Sequence, residues 1–163
     1  MNIKKIPEVL FHEFSQKLGQ GDSGILTNHG ITYSVQKLNP AIVAAGFPGA
    51  IGFREDKYTD STYFVLWPVL PSASDIGTVF EIDPVITIWV GPKNTGSWCY
   101  GSGNRMEEMA LLNTTSSSIN LKNPAMLLIP LILQRASKLA FEAQYEEFWE
   151  KDRDPEGKYT HPY

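Results

Sequence analysis

The sequence predicts an α+β fold: a mainly antiparallel central sheet with an N-terminal helix and a long C-terminal helix packed on it. Three observations carry this. Residues 25–35 alternate around Asn28-His29-Gly30 as a hairpin does, and short strand-like segments joined by short loops run from Gly49 to Tyr100. Asn123 to Lys151 then shows helical periodicity, with Ile132, Ala136, Leu139, Ala140 and Ala143 on one stripe and Gln134, Lys138, Glu142, Glu146 and Glu150 on the opposite ridge.

In chain order, Pro7 to Leu18 forms the first helix. Pro7 suits N1, Val9, Leu10, Phe14 and Leu18 make an apolar stripe with Phe11 off its centre, and Gly19 supplies the stop. Gln20 to Ser23 reads as a loop. In the hairpin that follows, Asn and Gly tolerate the positive φ of a tight turn. Asn39-Pro40 then caps a helical turn over Ala41 to Ala45, with a strand as the alternative.

Gly49 to Phe53 is apolar and glycine-rich, and Arg54 to Asp60 reads as a turn. Ser61 to Leu70 has strand composition, which Pro68 should end. Pro71 to Gly77 is a loop, Thr78 to Ile82 and Val85 to Val90 are strands, and Ser97 to Tyr100 returns as another. Ser102 or Asn104 can cap a helix through Met106 to Leu112, and Asn113 to Ser118 is an exposed polar loop.

The long helix has one awkward residue. Pro130 in a helix interior removes a hydrogen bond and crowds the carbonyl four residues back, at about 3 kcal/mol. The favoured reading starts the helix at Asn123-Pro124 and kinks it at Pro130. The other makes Ala125 to Ile129 a buried strand and starts the helix at Pro130. Phe141, Tyr145, Phe148 and Trp149 are expected to widen the apolar face at the C-terminal end. Residues 1–151 form one domain on this reading, and residues 152–163 a mobile tail.

Composition narrows the function. The net charge of −4 and 14 scattered basic residues argue against nonspecific binding to a phosphate backbone. No apolar run approaches the roughly 20 residues of a membrane span, and no signal peptide precedes the first helix. A single cysteine excludes an intramolecular disulfide and a Cys-based zinc site, which fits a cytoplasmic protein. His12, His29 and His161 fall at no metal-ligand spacing, so neither metal nor cofactor is expected.

Two functional readings result. The first is a noncatalytic, acidic protein-interaction module, of inhibitor or immunity type, that binds a protein partner, a basic one being its electrostatic complement, through Glu142, Glu146, Glu150, Tyr145 and Trp149, with Arg105 as a further contact. Tyr and Trp are favoured interface anchors, and an acidic ridge steers a basic target. The second is a small hydrolase or transferase with Cys99 as nucleophile, His29 as base and the Gly101–Gly103 turn, beside Arg105, as anion site. No cysteine-hydrolase signature surrounds Cys99, and a small apolar side chain on a buried strand accounts for it as well. The turn also lacks the Lys-Ser/Thr ending of a P-loop. A small-ligand pocket between the sheet and the long helix is a third possibility.

Overall fold

The structure is a computed structural model that describes residues 2–39, 49–67, 79–80, 84, 86–91, 96–100, 107–110 and 128–151. A 3-10 turn, η1 (Ile3–Lys5), leads into helix α1 (Ile6–Leu18). Strands β1 (Gly19–Asn28), β2 (Ile31–Leu38), β3 (Ala50–Asp56), β4 (Ser61–Trp67), β5 (Val79–Phe80), β6 (Ile86–Val90), β7 (Gly96–Tyr100) and β8 (Glu107–Ala110) follow, and helix α2 (Ile129–Lys151) comes last. The described strands form one sheet in the order β5-β1-β2-β3-β4-β6-β7-β8. Every neighbouring pair is antiparallel except β1 with β5, so the α+β expectation holds.

Local chemistry explains the well-placed elements. Pro7 stands in the first turn of α1, and Gly19 leaves the helix in extended conformation. His29 and Gly30 form a two-residue turn with φ of 52° and 76°, the double positive φ of a type I′ hairpin. The register Leu26↔Tyr33 and Gly24↔Val35 then follows from the turn. β4 ends at Trp67, immediately before Pro68, which has no N–H to donate to a ladder.

Several expectations fail. Gln20 to Ser23 belong to β1, with a register irregularity between Gly19 and Ser23, so pairing with β2 outweighs weak strand propensity. β3 runs through Asp56, and the turn shrinks to Lys57–Asp60. The helix expected from Met106 is replaced by β8, whose residues pair with β7 in a register from Ser97↔Ala110 to Tyr100↔Glu107. The expected start of the long helix at Asn123-Pro124 lies outside the described residues. Leu128 has 3-10 geometry and α2 starts at Ile129, so Pro130 occupies the first turn, where its missing N–H costs nothing. Asn39-Pro40 with Ala41 to Ala45, Pro71 to Gly77, Asn113 to Ser118, Ala125 to Leu127 and the tail 152–163 lie partly or wholly outside the described residues.

Both faces of the sheet are apolar. On one, Leu38, Ile51, Phe64, Leu66, Ile86, Ile88 and Val90 pack with Ile6, Leu10 and Phe14 of α1 and with Ile129, Ile132, Leu133, Ala136, Leu139 and Ala140 of α2. On the other, Leu26, Val35, Ala50, Val65 and Trp67 cluster with Tyr33, whose ring meets Trp67 edge-on at 5.1 Å. Trp67 lies across Gly52, where an added Cβ would stand 2.6 Å from ring carbons Cη2 and Cζ3. Glycine here is a steric requirement of the tryptophan two strand positions away on the same face.

Two stability predictions follow from this packing. Gly52→Ala should cost about 1–3 kcal/mol, because Trp67 must leave its place or strain the ladder. An unchanged urea midpoint would mean that Trp67 does not cover Gly52. Leu139→Asp sets an unpaired charge in the buried stripe and should cost several kcal/mol. A soluble variant with the wild-type melting temperature would reverse the assignment of the helix face.

Candidate functional site

The outer face of α2 is where chemistry-bearing side chains reach solvent together. Gln134, Lys138, Glu142 and Glu146 are all exposed, and the stripe Ile132, Ala136, Leu139, Ala140 and Ala143 is buried, both as the four-residue spacing predicts. Phe141 and Tyr145 do not widen the buried face. They stand on the outer face, 64% and 53% exposed, one turn apart, with Leu131 54% exposed towards the helix start. Helical angle explains the correction: Tyr145 is two residues past Ala143 and so about 200° round the axis from it, at 3.6 residues per turn.

The N-terminal half of this face borders a groove of about 540 Å³ between α1 and α2. Lys17, Leu131, Gln134, Arg135 and Lys138 line it together with Glu13 and Gln16. Its floor is built by an ion pair. Arg135 donates from Nε to Glu13 Oε2 at 2.8 Å and from Nη2 to Glu13 Oε1 at 2.6 Å, a bidentate fork joining residues 122 positions apart. The hydrogen bond from Arg135 holds the Glu13 carboxyl below its ordinary range, with Lys17 adding a smaller pull in the same direction and partial burial opposing both. The same hydrogen bond to Glu13 favours the charged form of Arg135 against its partial burial, and Glu142 adds a smaller contribution from further along the helix. The outer face is therefore divided, with cations at Lys17, Arg135 and Lys138 towards its start and carboxylates at Glu142 and Glu146 towards its end.

The remaining candidates are scattered. His29 is exposed in the β1–β2 turn, and Cys99 is in β7, in register with Thr87 and Glu108. The sheet order sets β7 four places beyond β2, a separation on the order of 20 Å at the usual strand spacing. Trp149 and Glu150 fall within the last turn of α2, where side chains are outside the described set, and Arg105 lies outside it altogether. The interval between the sheet and α2, a possible ligand pocket on sequence grounds, holds the larger core cluster. Among the described residues no group of three or more His, Cys, Asp or Glu side chains could hold a metal ion, and no helix is long and apolar enough to cross a membrane.

Sequence reasoning missed a row on the far face of the sheet. The Arg54 guanidinium sits 4.8 Å from the Tyr63 ring centroid and binds Asp56 at 2.8 Å. Burial pushes the nearby Tyr33 phenol above its usual range, and the charge of Arg54 partly offsets this. Arg54 and Asp56 alternate as strand neighbours on one face do, a signal lost by assigning both to a turn. A second cavity, about 260 Å³, lies beside η1, and its Lys4 is paired with Asp60.

Comparison with protein-family models, curated proteins and solved structures returned no match.

The Glu13–Arg135 fork makes acid stability testable. A carboxyl depressed in the folded state contributes stability above its unfolded pKa, and that contribution is lost as pH falls through the folded value. Glu13→Gln should therefore lower stability near neutral pH by on the order of 1 kcal/mol or less and flatten the decline as pH falls below the ordinary glutamate value of 4.5. Parallel pH–stability curves for wild type and variant would show that the fork has no energetic role.

Proposed function

We propose that the protein is a noncatalytic, acidic protein-interaction module that docks a protein partner through the outer face of α2. One observation carries the reading: Phe141 and Tyr145 are exposed one turn apart on a helix whose opposite face is fully engaged in the core. Large aromatic rings left in water beside charged neighbours are the usual anchors of an interface, with the charged groups as its rim. Glu142 and Glu146 favour a surface with basic side chains as the complement of this face. An inhibitor or immunity-type protein works in this way, occupying a target surface without chemistry of its own. The cysteine-dependent alternative has no comparable support, since the sheet order separates the strands bearing Cys99 and the His29 turn.

Capture by the immobilised full chain from lysate of its source cells tests the reading. Phe141→Ser with Tyr145→Ser should lower the melting temperature far less than Leu139→Asp does, because both rings are more than half exposed, and should abolish stoichiometric capture. Equal capture by wild type and variant would remove the outer face of α2 from the binding surface. Replacing Glu142, Glu146 and Glu150 by Gln should slow association at low salt and flatten its dependence on ionic strength, since exposed charges are screened within about 10 Å at 0.1 M. Equal rates and equal salt slopes would leave the aromatic rings as the only anchors.

A further inference from the structure

The groove at the start of α2 and the surface at its end are complementary. The groove carries Lys17, Arg135 and Lys138 against the one carboxylate of Glu13. The far half of the same face offers Phe141, Glu142, Tyr145 and Glu146. Within one chain the two halves cannot meet, because the helical rise keeps Gln134 and Glu146 about 18 Å apart. A two-fold axis perpendicular to α2 brings them together.

We propose that the partner docking on this face is a second copy of this chain, its α2 antiparallel to the first, so that the aromatic and acidic half of each helix enters the basic groove of the other. The inference rests on the reading of this face as a protein contact and names the partner. With the axis level with Ala140, Lys138 faces Glu142 of the second copy and Gln134 faces its Glu146, and each pair occurs twice, as an isologous interface requires. Phe141 is one residue from the axis level, so the two exposed rings meet there as an aromatic pair. The parallel arrangement would oppose Lys138 to Lys138 and Glu142 to Glu142. A foreign acidic peptide could fill the groove but would leave Phe141 and Tyr145 in water, whereas a second copy covers both halves. The seam is one helix face wide, near the lower bound of specific interfaces at about 1,200 Å² in total, so micromolar association is expected.

The charge pattern supplies a test that ordinary loss of function cannot imitate. Lys138 and Glu142 are both exposed, so single reversals leave the fold intact, which circular dichroism and melting verify. In sedimentation equilibrium at low salt, wild type should dimerise between about 1 and 200 µM. Lys138→Glu alone and Glu142→Lys alone each set like charges opposite one another, and each should weaken dimerisation at least about tenfold. An equimolar mixture of the two variants restores opposite charge at every pair and should recover association as a heterodimer. Wild type that stays monomeric throughout, variants that dimerise like wild type, or a mixture that fails to recover would each overturn the proposal. The protein-interaction reading fails separately. A monomeric wild type that still captures a different protein, lost on Phe141→Ser with Tyr145→Ser, refutes the second copy and leaves the docking face in place. A monomeric wild type with capture unaffected by those substitutions refutes both.

Discussion

The burial of one stripe of α2 against the helix-bearing face of the sheet is the contact on which the other features depend. Three of its members, Ala136, Ala140 and Ala143, are small, and the backbone of α2 runs nearest to α1 and η1, with its side chains completing the cluster on the sheet. Ile132, Leu133 and Leu139 share one buried cluster with Ile51, Phe64, Leu66, Ile86 and Ile88 of the sheet and with Ile6, Leu10 and Phe14 of α1. Burial of large aliphatic side chains, at about 1.5–3 kcal/mol each, dominates such a contact. The rotation of α2 about its own axis is fixed by it. Once that stripe faces inwards, Phe141, Glu142 and Tyr145 have no freedom but to face outwards. The Glu13–Arg135 fork then sets where α1 lies along α2, and with it the position of the groove.

The sheet transmits the same constraint to its far side. Strand side chains alternate, so the register that turns Phe64 and Leu66 towards the helices turns Tyr63, Val65 and Trp67 away from them. That second cluster demands glycine at position 52, and it aligns Arg54 over Tyr63. A slip of one residue in β4 would exchange the two faces and bury Tyr63 under α1 and α2. Register, helix rotation and the outer surface of α2 are thus linked through the packing of a few side chains in β3, β4 and α2.

What was legible in the sequence was what local periodicity encodes. The stripe from Ile132 to Ala143, the hairpin at His29-Gly30 and the limit of β4 at Pro68 all follow from spacing or from the chemistry of one residue. The misreadings share a cause, which is that tertiary pairing overrides local preference. Glu107 to Ala110 are good helix formers, yet they pair with β7. Arg54 and Asp56 have turn-like composition, yet they extend β3 by pairing with Tyr63 and Ser61 of β4. At the candidate site, the exposure of Glu142 and Glu146 was readable, but hydrophobicity was given precedence over helical angle at Phe141 and Tyr145. The groove was unreadable in principle, because it needs Glu13 and Lys17 from one end of the chain beside Arg135 and Lys138 from the other.

The central claim is that α2 has two faces with different duties, one holding the core and one held for a partner. Residue-level oxidative footprinting of the dilute protein, followed by mass spectrometry, tests it most directly. Phe141 and Tyr145 should label well above Ile132 and Leu139, which stay protected, and raising the protein concentration or adding a captured partner should lower labelling of Phe141, Tyr145 and the groove residue Leu131 without changing Ile132 or Leu139. Protection of Phe141 and Tyr145 in the dilute monomer, with labelling at Ile132 or Leu139, would contradict the account by showing that the helix is rotated about its axis.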